Sequence, residues 1–291
     1  MNASTPSHEM TTVPTDLEVL ARHPSEPTNR PPLVFVHGAW HAAWCWDEYF
    51  LPWFAAAGYE AFAVSLRGHG ASPGRPELNR HRLRDYADDV RAVVARMERP
   101  PVLIGHSMGG AVVQRILGAA APRLAGAALL ASVPPAGALR ATAVVASRHP
   151  IPFLAANATL DLGRLLGTPT LARDLLFTAN TSARVVHRCQ QRVQSESYRA
   201  FLDLLVPQPR HQAPPGLPVF VLGAGDDRLV AASEIEATAR RWNAHKVVIE
   251  GLGHDVMLDD QWTKAAEALL SWLRTAVPDR SAAASELVST G

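Results

Sequence analysis

Cysteine is scarce in this chain: only Cys45 and Cys189 occur among 291 residues, far apart and without the Cys-x-x-Cys spacing of a redox or zinc motif. That scarcity excludes a disulfide-dependent secreted scaffold and leaves two free thiols as the expectation. An excess of charge of one sign is missing too, since 28 basic residues stand against 27 acidic ones for a formal net charge of +1. No bulk field therefore gathers nucleic acid or an anionic membrane, and the expected partner is a small molecule. No apolar run is long enough for a signal peptide or a membrane span, which predicts a cytoplasmic chain. The sequence also lacks a glycine-rich phosphate fingerprint, and its histidines read as scattered and not as a metal-ligating group, so neither a metal nor an organic cofactor is expected. What remains is ordinary: 47% hydrophobic and 19% charged residues, the balance of a globular protein long enough for one α/β domain with an insertion. Nothing in it fixes an oligomeric state.

Short runs rich in valine and leucine recur along the chain with helical patterns between them. The runs are Leu33 to Val36, Ala61 to Val64, Val102 to Ile104, Ala127 to Leu130, Val219 to Leu222 and Val247 to Ile249. Alternation of this kind predicts a mostly parallel sheet flanked by helices. Between the second and third runs, Leu83, Tyr86, Val90, Val93, Val94 and Met97 fall at helical spacing, while Arg84, Asp85, Asp88, Asp89 and Arg91 read as a solvated face. Ser233 and Glu236 have the spacing of a helix capping box. From Pro134 to His211 the alternation stops, and helices alone are predicted: Leu139 to Arg148, Phe153 to Leu166, Pro169 to Phe177, and Ser182 to Val206 with a break near Ser195. Thr168 before Pro169 has the pattern of a helix start. The predicted organisation is an α/β core over residues 31–133 and 213–277, a helical cap over 134–212, and disordered tails over 1–30 and 278–291.

The strongest local signal is Gly105-His106-Ser107-Met108-Gly109-Gly110, directly after one predicted strand and directly before a helical pattern. In this Gly-x-Ser-x-Gly setting the chain turns so sharply that the central residue is strained and its neighbours must be small. A serine hydroxyl is a weak nucleophile until a base takes its proton, and that base needs a partner to fix its tautomer. Asp227 follows the run Val219 to Leu222, and His254 follows Val247 to Ile249, both at strand ends where parallel sheets build sites. Asp226 competes with Asp227 for the acid role. Negative charge developing on a substrate oxygen requires donors, for which the amides of Met108 and, in His37-Gly38-Ala39-Trp40, of Ala39 are the candidates.

Together His37-Gly38, Arg67-Gly68-His69-Gly70-x-Ser72, Gly105-x-Ser107-x-Gly109, Gly225-x-Asp227 and Gly253-His254 resemble the α/β-hydrolase superfamily, across roughly Leu33 to Leu273. The resemblance implies the α/β-hydrolase fold, a Ser107, Asp227, His254 triad in the family's chain order, and hydrolysis of a carboxylic ester substrate through an acyl-enzyme. It favours Asp227 over Asp226, and structural roles for His37 and His69. The stretch around His41, Trp44, Cys45 and Trp46 is similar to plant methylesterases and hydroxynitrile lyases, which makes Trp40 and His41 candidates for the substrate pocket, with Phe153 added from the cap. Hydroxynitrile lyases of that group carry a lysine after the histidine, where this chain has Asp255. Thioesterase, lactonase and perhydrolase chemistry on the same triad stay open, as does a receptor that holds a small ligand without turning it over.

Overall fold

The computed structural model describes residues 16–118, 122–208 and 214–277. Seven strands form one sheet: β1 (Val19–Arg22), β2 (Leu33–Val36), β3 (Ala61–Val64), β4 (Val102–His106), β5 (Gly126–Leu130), β6 (Val219–Ala224) and β7 (His245–Ile249). Their order is β1-β3-β2-β4-β5-β6-β7, with β1 antiparallel to β3 and all other pairs parallel. The six predicted runs all lie in these strands. β1 corrects the tail expected over residues 1–30: Val19 to Arg22 pair in register with Val64 to Ala61 as a half-exposed edge strand, its short run Val19-Leu20-Ala21 flanked by Glu18 and Arg22. The remaining tail residues, 1–15 and 278–291, lie outside the described residues.

Strand β2 shows why the core runs read as uninterrupted hydrophobics. All four of its residues are buried, with Leu33 and Phe35 packing into one layer and Val34 and Val36 into the other. Each such side chain contributes about 1.5–3 kcal/mol by burial, so both faces must be covered. On the first face lie α1 (Trp44–Asp47), α2 (Phe50–Ala56) and, by its apolar stripe, the chain's last described helix, Trp262–Ala276. On the second lie α3 (Leu83–Ala95), α4 (Met108–Gly118) and the helix Ala232–Trp242.

Between β5 and β6 the chain forms helices α5 (Leu139–Arg148), α6 (Pro150–Thr159), a 3-10 turn (Leu162–Leu166), α7 (Pro169–Leu176), α8 (Ala183–Arg192) and α9 (Tyr198–Leu205). Thr168 caps α7 as its pattern predicts, its hydroxyl accepting from Leu171 N at 3.2 Å. The helix expected from Phe153 to Leu166 instead breaks at Leu160, which adopts a left-handed φ of 51°. The two helices not yet numbered, Ala232–Trp242 and Trp262–Ala276, are α10 and α11.

Two expectations on the outer helices are corrected. The charged face of α3 is not wholly solvated: Asp89 is buried and grips Arg67 at 2.6 to 3.1 Å, and Asp85 Oδ2 accepts from Arg82 N at 2.8 Å to close the helix start. Nor does Ser233 cap α10, because the helix begins one residue before it. Glu234 Oε2 takes the Ala231 amide at 2.8 Å instead.

Candidate active site

In a parallel sheet all strands deliver their following loops to one edge, and here β2 has β3 on one side and β4 on the other. The chain therefore runs in opposite directions from β2, leaving a crevice at the carboxyl ends of β2 and β4. Ala39 and Trp40 enter it after β2, Ser107 after β4, Asp227 after β6 and His254 after β7.

The elbow after β4 is as tight as its glycines imply. A Cβ on Gly105 would lie 2.4 Å from Gly109 O, and one on Gly109 would lie 2.3 Å from Val36 O. Only glycine lets α4 start this close to β2. Ser107 sits at φ 50°, a strained conformation for a residue with a side chain, held by Ser107 N to Leu130 O at 3.1 Å and Val133 N to Ser107 O at 3.1 Å.

Three candidate residues meet in one chain of hydrogen bonds. His254 Nε2 lies 2.9 Å from Ser107 Oγ, and His254 Nδ1 lies 2.7 Å from Asp227 Oδ2. A carboxylate only accepts, so Nδ1 carries hydrogen and a neutral imidazole offers its lone pair at Nε2 to the serine hydroxyl. Asp227 is itself aimed by its second oxygen, which accepts from Leu229 N at 2.7 Å and Val230 N at 3.1 Å. Asp226, by contrast, is exposed. Burial pushes the pKa of His254 down, but the charge and hydrogen bond of Asp227, with Asp255 behind, outweigh it and raise the pKa above 6.5.

Ala39 and Met108 line the same cavity as Ser107. Met108 is the first residue of α4, where helix geometry leaves an amide without an intrahelical acceptor. The cavity walls are otherwise mostly apolar, with Val145, Phe153, Leu165, Phe201 and Leu204 coming from the helices between β5 and β6. Two carboxylates reach the cavity, and both are committed elsewhere: Glu196 to His69 Nε2 at 3.0 Å, Tyr86 Oη at 2.8 Å and Ser197 N at 2.6 Å, and Glu234 to the Ala231 amide at 2.8 Å and Arg140 Nη1 at 3.4 Å. Sequence reading missed these wall residues, whose helical spacing is that of any packed helix.

Of the predicted pocket residues, Trp40 and Phe153 line the cavity and His41 does not. His41 is buried behind it, with Nε2 3.0 Å from Asp255 Oδ2, because the left-handed turn at Trp40 (φ 66°) sends the next side chain away from the crevice. His37 and His41 share a four-residue spacing but not a site: His37 Nε2 accepts from Leu66 N at 3.1 Å and Nδ1 donates to Gly38 O at 2.8 Å. His106 donates from Nε2 to His254 O at 2.9 Å. Burial in the first place, then the charge of His254, depresses the His106 pKa to about 3, which keeps that ring neutral under the elbow. Both thiols are buried and free, and burial pushes each well up, so neither is a nucleophile. Among the described residues, one group of three potential metal-ligating side chains stands together, His41, Cys189 and Asp255. No described helix is long and apolar enough to cross a membrane.

Comparison with known proteins bears on this geometry. Residues 33–268 match the model of a family described as the alpha/beta hydrolase family. The non-heme chloroperoxidase of Streptomyces lividans is 40% identical over 111 residues, which are 38% of this chain and 39% of that protein. Methylesterase 3 of Arabidopsis thaliana is 32% identical over 88 residues, 30% of this chain and 33% of the relative. The matched stretches thus span well under half the length of these relatives. Among solved structures, a monoacylglycerol lipase from Paleococcus ferrophilus superposes with a TM-score of 0.67 at 18% identity, covering 89% of this chain and 98% of its own, a likeness of fold alone.

Proposed function

The chain belongs to the alpha/beta hydrolase family, and we propose that it is a serine hydrolase cleaving carboxylic esters through an acyl-enzyme. The observation that carries this reading is the unbroken relay from Asp227 Oδ2 through His254 to Ser107 Oγ, opening on an apolar cavity. In the proposed reaction Ser107 Oγ attacks the ester carbonyl while His254 Nε2 takes its proton. The carbonyl oxygen gains negative charge and is met by the amides of Ala39 and Met108, donors worth about 3–4 kcal/mol each in comparable sites. The proton then passes from His254 to the departing alcohol. Water enters, loses a proton to His254, and frees the acid by the same path reversed.

The Arabidopsis methylesterase and the Paleococcus lipase lend this reading support by name only, and the apolar walls favour an uncharged acyl or alcohol group. The helices from α5 to α9 form, on this proposal, a cap that selects substrate, over residues 134–208, the last four residues of the expected cap (209–212) lying outside the described residues. The test is turnover of a panel of p-nitrophenyl esters together with labelling by a fluorophosphonate. Steady turnover and an adduct at Ser107, both abolished in Ser107→Ala, are expected. Labelling at a different serine overturns the assignment, and a stoichiometric burst without further product indicates a ligand receptor. Thioesters, lactones, and hydrogen peroxide as acceptor in place of water separate the related chemistries on the same panel.

A further inference from the structure

Behind the relay lies a second histidine–carboxylate pair that the reaction above does not use. His41 and Asp255 are 1% and 0% exposed, and His41 Nε2 is 3.0 Å from Asp255 Oδ2. The other ring nitrogen, Nδ1, is 2.8 Å from Ala39 O. A carbonyl and a carboxylate both only accept, so both nitrogens carry hydrogen and the ring is an imidazolium facing an aspartate. Burial opposes the charge, but Asp255's field and hydrogen bond raise the His41 pKa, and His41 holds the Asp255 carboxyl low.

Three parts of the chain converge here. His41 follows the turn that presents the Ala39 amide, and its grip on Ala39 O fixes the peptide plane leading into Trp40, a non-glycine residue at φ 66°. Asp255 follows His254, and its own amide donates to Leu176 O at the end of α7 at 2.9 Å. From α8, the Cys189 thiol donates to Asp255 Oδ2 at 3.7 Å. The loop carrying the candidate base, the loop carrying a candidate oxyanion donor and the helical segment above them thus share one buried ion pair.

We propose that His41 and Asp255 form a positioning pair that holds the Ala39 turn and the His254 loop at the separation acyl transfer requires. This rests on the serine-hydrolase reading. The pair touches no reacting atom. It acts by fixing where the Ala39 amide stands relative to Ser107, and a displacement of about 1 Å at such a site costs on the order of 100-fold in rate. Asparagine at 255 is the informative conservative change. Its amide can donate to Nε2 of a neutral His41, leaving Nδ1 to donate to Ala39 O, so geometry survives while charge is lost.

The experiment measures kcat and KM for an ester in wild type, Asp255→Ala, His41→Gln and Asp255→Asn, each checked for folding by circular dichroism. A trifluoromethyl ketone is titrated alongside, with the matching alcohol as control. The ketone bonds its carbonyl carbon to Ser107 Oγ, whose proton passes to His254, and leaves an oxyanion for the Ala39 and Met108 amides. Asp255→Ala and His41→Gln should lose about 10- to 100-fold in kcat with KM within about threefold, and should weaken the ketone in parallel but not the alcohol. Asp255→Asn should recover most of the loss. Folded Asp255→Ala and His41→Gln proteins with kcat within about threefold of wild type would overturn the pair's role, as would a loss confined to KM, or an Asp255→Asn variant as impaired as Asp255→Ala. So would stoichiometric zinc at His41, Cys189 and Asp255 in the purified protein. A wild type that turns over no ester and takes no fluorophosphonate at Ser107 fails the serine-hydrolase reading itself, a result distinct from all of these.

Discussion

Asp227 Oδ2 stands 2.7 Å from His254 Nδ1, while its neighbour Asp226, identical in chemistry and one residue earlier, points to solvent. The backbone sets this difference. Asp226 N donates to Leu252 O at 3.0 Å, which pins the turn against the loop of His254, and Asp227 then faces inward with its other oxygen on the amides of Leu229 and Val230. Asp227→Asn replaces an acceptor by an amide that can force the imidazole into the wrong tautomer, a defect of about 10⁴ in turnover in the best-studied triad. A loss approaching that size is expected for Asp227→Asn and less than about tenfold for Asp226→Asn, both measured at one pH. The reverse ranking would move the acid to Asp226.

The pH dependence follows from the sign of the shift at His254. The base acts only when neutral, and the pKa of the ring is raised above 6.5. Ester kcat/KM should therefore climb with pH through an apparent pKa above 6.5 and level off on the alkaline side. An acid limb centred at or below pH 6 contradicts the pairing of His254 with Asp227.

Among large apolar residues of α6, only Phe153 lines the cavity; Ile151 and Leu154 are 80% and 67% exposed. Phe153→Ala should widen the preference toward longer or bulkier esters by about 10- to 100-fold in relative kcat/KM, the scale expected for a lost hydrophobic wall. Leu154→Ala should leave it unchanged. An ester panel run on both variants checks this, and equal profiles would remove α6 from the specificity wall.

Asp89 is buried against the Arg67 guanidinium, whereas the Asp88 side chain is 46% exposed. Truncating Asp89 to alanine leaves the Arg67 charge buried and unpaired, so Asp89→Ala should cost about 3–5 kcal/mol in urea unfolding. Asp88→Ala should stay within about 0.5 kcal/mol. Equal costs would mean the Arg67 pair adds nothing.

Sequence alone determined what depends on local rules. Apolar runs spelled out six of the seven strands: β2 to β6 are covered on both faces, which leaves few polar positions, and β7, a half-exposed edge, still carries Val247 to Ile249. Ser107 was legible because a strand, a glycine-flanked turn and a helix coincide around it, and Asp227 and His254 because each follows a strand that must end at the same edge. Tertiary structure alone decided the rest. β1 is a half-exposed edge strand whose apolar run is only Val19-Leu20-Ala21 between two charged residues, and its partner lies some forty residues away. His41 and Phe153 looked equally suited to the pocket, and the left-handed turn at Trp40 sends one behind the site while α6 brings the other into it. Asp89 read as surface because helical periodicity shows which side of a helix is apolar, not that an arginine from the loop after β3 will be buried opposite it. The pairing of His41 with Asp255 joins residues more than two hundred positions apart, and no spacing rule spans that distance; only the packing of two loops and a helical segment into one dry space makes their charges each other's partner.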